Sequence, residues 1–303
     1  MSFTSVTLRD LMKWEHLIMG TDIVPKQRVS SILAGKHTSM MRGRGLDFEE
    51  VRNYVPGDDI RNIDWKVTAR TKKTHTKVFN EEKERPALVI VDQTSFLNFG
   101  SSQYLKSVIA AQAAAMAAFR TVKKGDRCGG LVFNDNSSDW FAPRRSRQAI
   151  MQLLKAVSNK NQILSEVKQT QSNALQLHNA LKRVANYVTH DFIISIISDF
   201  SHCEDNTFKI IKQMAQHNDI ICVHIEDEID HITHLQNIVI TNGGKQLFWK
   251  KQKQKTINLE NETELDFKNK LKELNRKYLV PVLYLNTAQA LEEQIKNIFK
   301  QRR

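Results

Sequence analysis

Two apolar runs end in an acid: Val89-Ile90-Val91-Asp92 and Ile194-Ser195-Ile196-Ile197-Ser198-Asp199. Short runs of this kind read as buried strands. In an open α/β sheet, ligands bind outside the carboxyl ends of the strands, near the point where the strand order reverses. Asp92 and Asp199 are therefore expected to face one crevice, where paired carboxylates suit cation binding or partner recognition. The plainer alternative is that each aspartate caps the helix after its strand. Gln93, Thr94, Ser95 and Phe96 follow Asp92. Alternate residues of an extended segment point the same way, so an Asp-x-Ser-x-Ser loop offers three oxygens to one cation. Here those positions are Asp92, Thr94 and Phe96, and the third oxygen is missing. Ser95 points to the other side, and Asn98 reaches in only if the loop bends.

Other chemistries have little behind them. The chain has no Gly-x-x-x-x-Gly-Lys-Ser/Thr phosphate loop, no Gly-x-Gly-x-x-Gly and no Gly-x-Ser-x-Gly elbow, so nucleotide hydrolysis and serine-type acyl transfer are not expected. His231 with His234, or His202 beside Cys203, lack the usual zinc-ligand spacing. The three cysteines are Cys128, Cys203 and Cys222; no two form Cys-x-x-Cys, and buried free thiols account for them.

From Ala87 onward, strand-like and helix-like patterns alternate, the signature of a mostly parallel sheet covered by helices. Strands are expected at 87–94, 126–134, 192–198, 220–225 and 282–285, with a hairpin partner at 138–142. Helices are expected at 104–122 (rich in alanine), 146–159, 173–188, 207–217 and 262–278, and from Ala288. Asn242-Gly243 is the sharpest hairpin signal, placing a hairpin insertion near 237–250. Ahead of the sheet, Thr7 is placed to cap a first helix that stops at Gly20, and Pro25 and Gly35 bracket a second. The division expected is 1–86, helices plus an irregular motif-rich segment, and 87–303, the α/β domain.

The chain has 303 residues, 41% of them hydrophobic, enough for one large core. No stretch approaches the roughly 18 uninterrupted apolar residues of a membrane span, and Met1 to Asp10 lack the form of a signal peptide. The expected location is cytoplasmic. A formal net charge of +12 favours acidic partners, whether nucleic acid, anionic lipid or protein. Much of the excess lies in 245–255 and 268–277, without the aromatic interleaving of an RNA-reading sheet.

The segment Gly43 to Arg70 has its own physics. Pro56-Gly57 makes a tight turn, and Asp58 or Asp59 can cap the helical turn that follows. Arg52, Arg61 and Arg70 alternate with Glu49, Asp59 and Asp64, which suits Arg–carboxylate pairs tying the segment to the sheet domain, with Trp65 as an apolar anchor. Alternatively, Arg and Trp side chains here form a docking surface.

Gly43-Arg44-Gly45-Leu46-Asp47-Phe48-Glu49, Val51-Arg52-Asn53-Tyr54, Pro56-Gly57-Asp58-Asp59-Ile60-Arg61-Asn62-Ile63-Asp64-Trp65 and Thr68-Ala69-Arg70 resemble the signature of the bacterial proteins known as domain of unknown function 58. The resemblance covers nearly the whole chain, with its specificity concentrated in Gly43 to Arg70; Ser198-Asp199-Phe200 matches a second feature. It implies a Rossmann-like, von Willebrand factor A-like sheet, often with a metal-ion-dependent adhesion site binding Mg2+ or Mn2+, in proteins that work beside MoxR-type AAA+ ATPases in protein maturation or assembly. Asp92 and Thr94 match the first two metal-loop positions, Asp199 the later aspartate, and Ser172-Asn173 stands where Thr-Asp is common. Phe96 departs from the pattern. The expectation is a non-catalytic interaction scaffold with a degenerate metal site (Asp92, Thr94, Ser172, Asp199) and a signature surface (Arg44, Arg52, Asp58, Asp59, Arg61, Asp64, Trp65, Arg70). A basic nucleic-acid-binding protein is the alternative.

Overall fold

The computed structural model describes residues 3–19, 46–81, 85–166, 175–227, 237–242, 245–250 and 257–300. The second expected helix (25–35), Arg44, Ser172, His231, His234 and Gly243 lie outside the described residues. The chain divides into two compact units, Met1–Val29 with Arg85–Arg303, and Ser30–Glu84. In chain order the helix α1 (Leu8–Met19) is followed by β1 (Leu46–Asn53), α2 (Trp65–Thr71) and β2 (His75–Glu81). Next come β3 (Pro86–Asp92), α3 (Lys106–Lys123), β4 (Arg127–Phe133), β5 (Ser138–Arg144), α4 (Arg147–Glu166) and α5 (Gln176–Ala185). The remainder is β6 (Ile193–Ser198), α6 (Asp205–Met214), β7 (Asp219–Glu226), the hairpin β8 (Asn237–Asn242) and β9 (Lys245–Lys250), α7 (Ile257–Tyr278), β10 (Val282–Asn286) and α8 (Leu291–Lys300).

The larger unit is a six-stranded sheet in the order β10-β7-β6-β3-β4-β5. All pairs are parallel except β4–β5, which is antiparallel. The first sheet strand in sequence, β3, therefore sits at the centre; the chain builds outward to one edge and then crosses back to place β6 on its other side. That reversal is the topological switch point of a doubly wound sheet.

Side chains alternate across the sheet as strand geometry requires. Val89 and Val91 of β3 face a core shared with α1, α3, α4 and α8. Leu88 and Ile90 face a second core shared with α5, α6 and α7. The alanines of α3, Ala110, Ala111, Ala113, Ala114, Ala115 and Ala118, are all buried, because the helix is sandwiched between the sheet and α1. Leu11, Trp14 and Ile18 of α1 belong to this same core. Packing thus joins the first helix to the sheet unit, whereas the sequence reading grouped it with 1–86; hydrophobic spacing shows that a helix has an apolar face but not which partner covers it. At the edge of the sheet, the β4–β5 register shifts between Cys128 and Gly130, and a Cβ on Gly129 would sit 2.4 Å from the Phe141 carbonyl oxygen. Only glycine fits that close approach.

In the smaller unit β1 and β2 pair antiparallel, with a register shift between Phe48 and Glu50. That irregularity, at the consecutive acids Glu49-Glu50, hides the alternation of β1 from sequence inspection. The connection opens with the expected turn: Asp58 N–H donates to the Val55 carbonyl at 3.0 Å, and Gly57 has φ +106°. A left-handed third residue after proline is the type II arrangement that calls for glycine. Asn242 lies opposite Lys245 in the antiparallel β8–β9 pair.

Candidate functional site at the carboxyl end of the sheet

Asp92 is the last residue of β3 and Asp199 the first after β6, and these strands are neighbours on either side of the switch point. The two acids come to one end of the sheet, as their strand-terminal positions suggest. They line a small recess of about 20 Å³ with Thr94, Phe96, Gln176, Leu177, Ser198, Phe200, His202 and Cys203. That is room for about one water.

Both oxygens of Asp92 are engaged. Oδ1 accepts from the Thr94 backbone N–H at 2.9 Å and from its Oγ1 hydroxyl at 2.7 Å, while Oδ2 accepts from the Ser198 hydroxyl at 2.6 Å. Burial, reinforced by repulsion from Asp199, pushes the Asp92 carboxyl up to about 7 against the bonds from Ser198 and Thr94. Asp199 accepts from the Ser201 backbone N–H at 3.3 Å and from its hydroxyl at 2.9 Å. The simple capping alternative is absent at both sites: α3 begins beyond Leu105 and α6 beyond Glu204, and neither cap residue contributes a side-chain bond. Phe200 takes up φ +54° in the turn after Asp199 while fully buried in the second core. Such a left-handed bulky residue costs about 1–3 kcal/mol and is retained only where packing enforces it.

The loop after Asp92 bends at once into a short helical turn, Ser95–Leu97. The Ser95 N–H is taken by Asp135 at 2.9 Å, and the Asn98 amide donates to the Leu164 carbonyl at 3.0 Å. Asn98 is thus tied to the carboxyl-terminal turn of α4. The Phe96 ring stacks on His202, with centroids 3.8 Å apart and planes at 27°. His202, solvent-exposed but desolvated in part, is held below its ordinary pKa chiefly by that desolvation.

Sequence inspection assigned no role to three residues at this end of the sheet. Ser198 is the bridge between the two strand ends. Asp227, just beyond β7, accepts from Ser101 N–H at 2.8 Å and from the Thr287 hydroxyl, stapling the loop before α3 to the end of β10. Lys106 places its ammonium 3.8 Å from Asp199 Oδ2. The signal for Lys106 was legible: a cation in the first turn of an alanine-rich helix opposes the helix dipole and calls for an explanation.

Magnesium and manganese ask for about six oxygens in near-octahedral array. The described residues offer Asp92, Thr94, Ser198 and Asp199. Phe96 puts a ring, stacked on His202, where the pattern has its third hydroxyl, and Lys106 already gives Asp199 a positive neighbour. Among the described residues no three His, Cys, Asp or Glu gather as a metal-binding group. With Ser172 outside the described residues, these four side chains fall short of six oxygens unless water supplies the rest. Burial raises the Cys128 and Cys222 thiols to about 12 and Cys203 well above its ordinary value, away from the reactive thiolate form.

In the smaller unit the signature residues form local devices. Arg52 makes a two-pronged pair with Asp58, at 2.8 and 2.7 Å. Asp59 accepts from the Arg61 N–H at 3.0 Å and caps the turn 60–62. Asp64 accepts from the Lys66 and Val67 N–H groups and caps α2, and Lys77 lies 3.6 Å from it. These pairs join residues within the segment, Arg61 with Asp59 among them. Trp65, expected as an anchor, is 69% exposed, and Arg70 is exposed as well.

The larger unit is an open, doubly wound α/β sheet with two carboxylates at its switch point. The chain belongs to the family of proteins of unknown function DUF58, whose model matches residues 50–238. The chain is 28% identical over 209 residues to uncharacterized protein Rv1480 of Mycobacterium tuberculosis and, equally, to uncharacterized protein Mb1516 of Mycobacterium bovis. The match covers 69% of this chain and 64% of each relative, so the chain spans under two thirds of the relatives' length. Among solved structures it is similar to the conserved hypothetical protein BatB of Bacteroides thetaiotaomicron, with a TM-score of 0.42 at 12% identity, over 72% of this chain and 96% of that one. The SpRpn10 VWA domain gives a TM-score of 0.35 at 11% identity, over 71% and 95%. Among the described residues no helix is long and apolar enough to cross a membrane.

Proposed function

We propose that the protein is a non-catalytic interaction scaffold that works with a MoxR-type AAA+ ATPase in the maturation or assembly of other proteins. The observation that carries this reading is the state of the rim: its carboxylates are held by neighbouring hydroxyls, backbone and a lysine, and its thiol is raised rather than activated. Such a site is built for shape, while hydrolysis calls for a free base and an activated nucleophile. The rim is read as a degenerate metal-ion-dependent adhesion site, and the exposed Trp65, Arg61 and Arg70 of the signature segment as partner contacts, since Trp and Arg dominate interface energetics. On this reading the protein acts in the cytoplasm, beside its ATPase.

Surface plasmon resonance against the MoxR-type ATPase of the same host tests the reading. Wild type is expected to bind, with Trp65→Ala and Asp199→Ala each weakening affinity by about tenfold or more. Absence of wild-type binding, with and without nucleotide, overturns the ATPase partnership.

A further inference from the structure

The rim carboxylates need a positive counter-charge, and the chain itself supplies one. Lys106 and Asp199 each have side chains only 8% exposed, with Nζ to Oδ2 at 3.8 Å. Lys106 is the first residue of α3; its backbone N–H donates to the Phe99 carbonyl at 2.8 Å, and its ammonium lies 5.9 Å from the centre of the Phe99 ring. Nothing about helix formation asks for a cation there, since the amino end of a helix already carries partial positive charge. Taking an ammonium out of water is costly unless a carboxylate answers it. Asp199 answers it, beside Asp92 in the same recess.

We infer that Lys106 is the resident cation of the rim, standing in for the divalent ion, so that the crevice keeps its shape and meets its partner without metal. Phe96 and His202 complete the substitution: their stacked rings close the side from which a third hydroxyl would reach an ion. The consequence for recognition is specific. A metal offers an open coordination position that draws a partner's Asp or Glu, whereas this rim offers carboxylate and hydroxyl oxygens beside a fixed ammonium at Asp199. This last step rests on the interaction-scaffold reading; the lysine's role does not.

Unfolding of the full chain is compared in millimolar Mg2+, millimolar Mn2+ and EDTA. The wild-type midpoint is expected to be the same in all three. A wild-type midpoint raised by either metal, with the rise abolished in Asp92→Asn, overturns the inference. Lys106→Met is expected to lower the midpoint, with Lys106→Arg recovering most of the loss; a Lys106→Met variant as stable as wild type also overturns it. Should Lys106→Met not fold, amine acetylation of the folded wild type decides. Lys106 is expected to react about tenfold or more slowly than the exposed Lys124, because access needs local opening, and Asp199→Asn is expected to speed it. Equal rates for Lys106 and Lys124 in wild type overturn the proposal. These readouts need no partner, so a missing ATPase interaction alone leaves them standing.

Discussion

The Ser198 hydroxyl donates to Asp92 Oδ2 at 2.6 Å, joining the ends of the two strands that flank the topological switch point. One short bond therefore fixes the spacing of the two rim aspartates, because Ser198 precedes Asp199 directly. A hydroxyl bonded to a carboxyl contributes about 0.5–1.5 kcal/mol while Asp92 is protonated and about 1.5–3 kcal/mol once it is ionised. Ser198→Ala is expected to lose that much in urea unfolding, with the parallel β3–β6 pairing intact by circular dichroism.

The raised Asp92 carboxyl makes stability depend on pH with a defined sign. A carboxyl raised to about 7 in the folded chain, from an ordinary 3.8, stays protonated where the unfolded chain has lost the proton. Its contribution is complete below about 3.8, falls as pH rises and is exhausted above about 7, at up to roughly 1.4 kcal/mol per pH unit. Asp92→Asn removes this dependence. The difference in unfolding free energy, wild type minus variant, is expected to fall from pH 5 to pH 7 and level off above; a flat difference contradicts the assignment.

A buried polar chain supports the rim from behind. Asn161 accepts the Val6 N–H at 2.8 Å and donates to Gln93 Oε1 at 2.9 Å, and Gln93 donates to the Ser107 carbonyl at 3.0 Å. Asn161→Ala leaves a buried donor and a buried acceptor without partners, each worth about 1–3 kcal/mol. The expected loss is therefore about 2–6 kcal/mol, measured by denaturant unfolding.

Helix α1 starts with a reciprocal cap. The Asp10 N–H donates to Thr7 Oγ1 at 3.3 Å, and the Thr7 N–H and hydroxyl donate to Asp10 Oδ2 at 3.3 and 2.6 Å. Thr7→Ala is expected to cost about 1 kcal/mol. Burial works to raise the Asp10 carboxyl, but the bonds from Lys13 and Thr7 outweigh it and bring the group to about 2. The cap's contribution is therefore present above 3.8 and is lost as pH falls toward about 2, which amide exchange along α1 reports.

Trp65 gives the opposite test. With 69% of its surface exposed, Trp65→Ala is expected to change stability by no more than about 0.5 kcal/mol. A larger loss would show that the indole packs within the fold instead of standing ready for a partner.

Most of the sheet was legible because its strands are short, apolar and buried on both faces, and because acids cannot continue such runs: Asp92 and Asp199 mark two strand ends by type alone. The β5 hairpin partner, the β8–β9 hairpin and the main helices likewise follow from local patterning. Strand β1 was not legible, since the register shift at Phe48 and Glu50 erases its alternation. Helix α2 was not either, because a seven-residue run containing Trp, Val and two Thr has weak helix propensity and depends on the Asp64 cap.

Sequence alone thus determined the family, the alternation of strands and helices, the two rim acids and the missing third hydroxyl at Phe96. Tertiary structure decided what those acids touch. Lys106 lies 93 residues before Asp199 in the chain and Ser198 lies 106 residues after Asp92, so neither contact leaves a trace in local spacing. Electrostatic and hydrogen-bond partners are chosen by proximity in space, and the switch point of the sheet is what brings these side chains within reach.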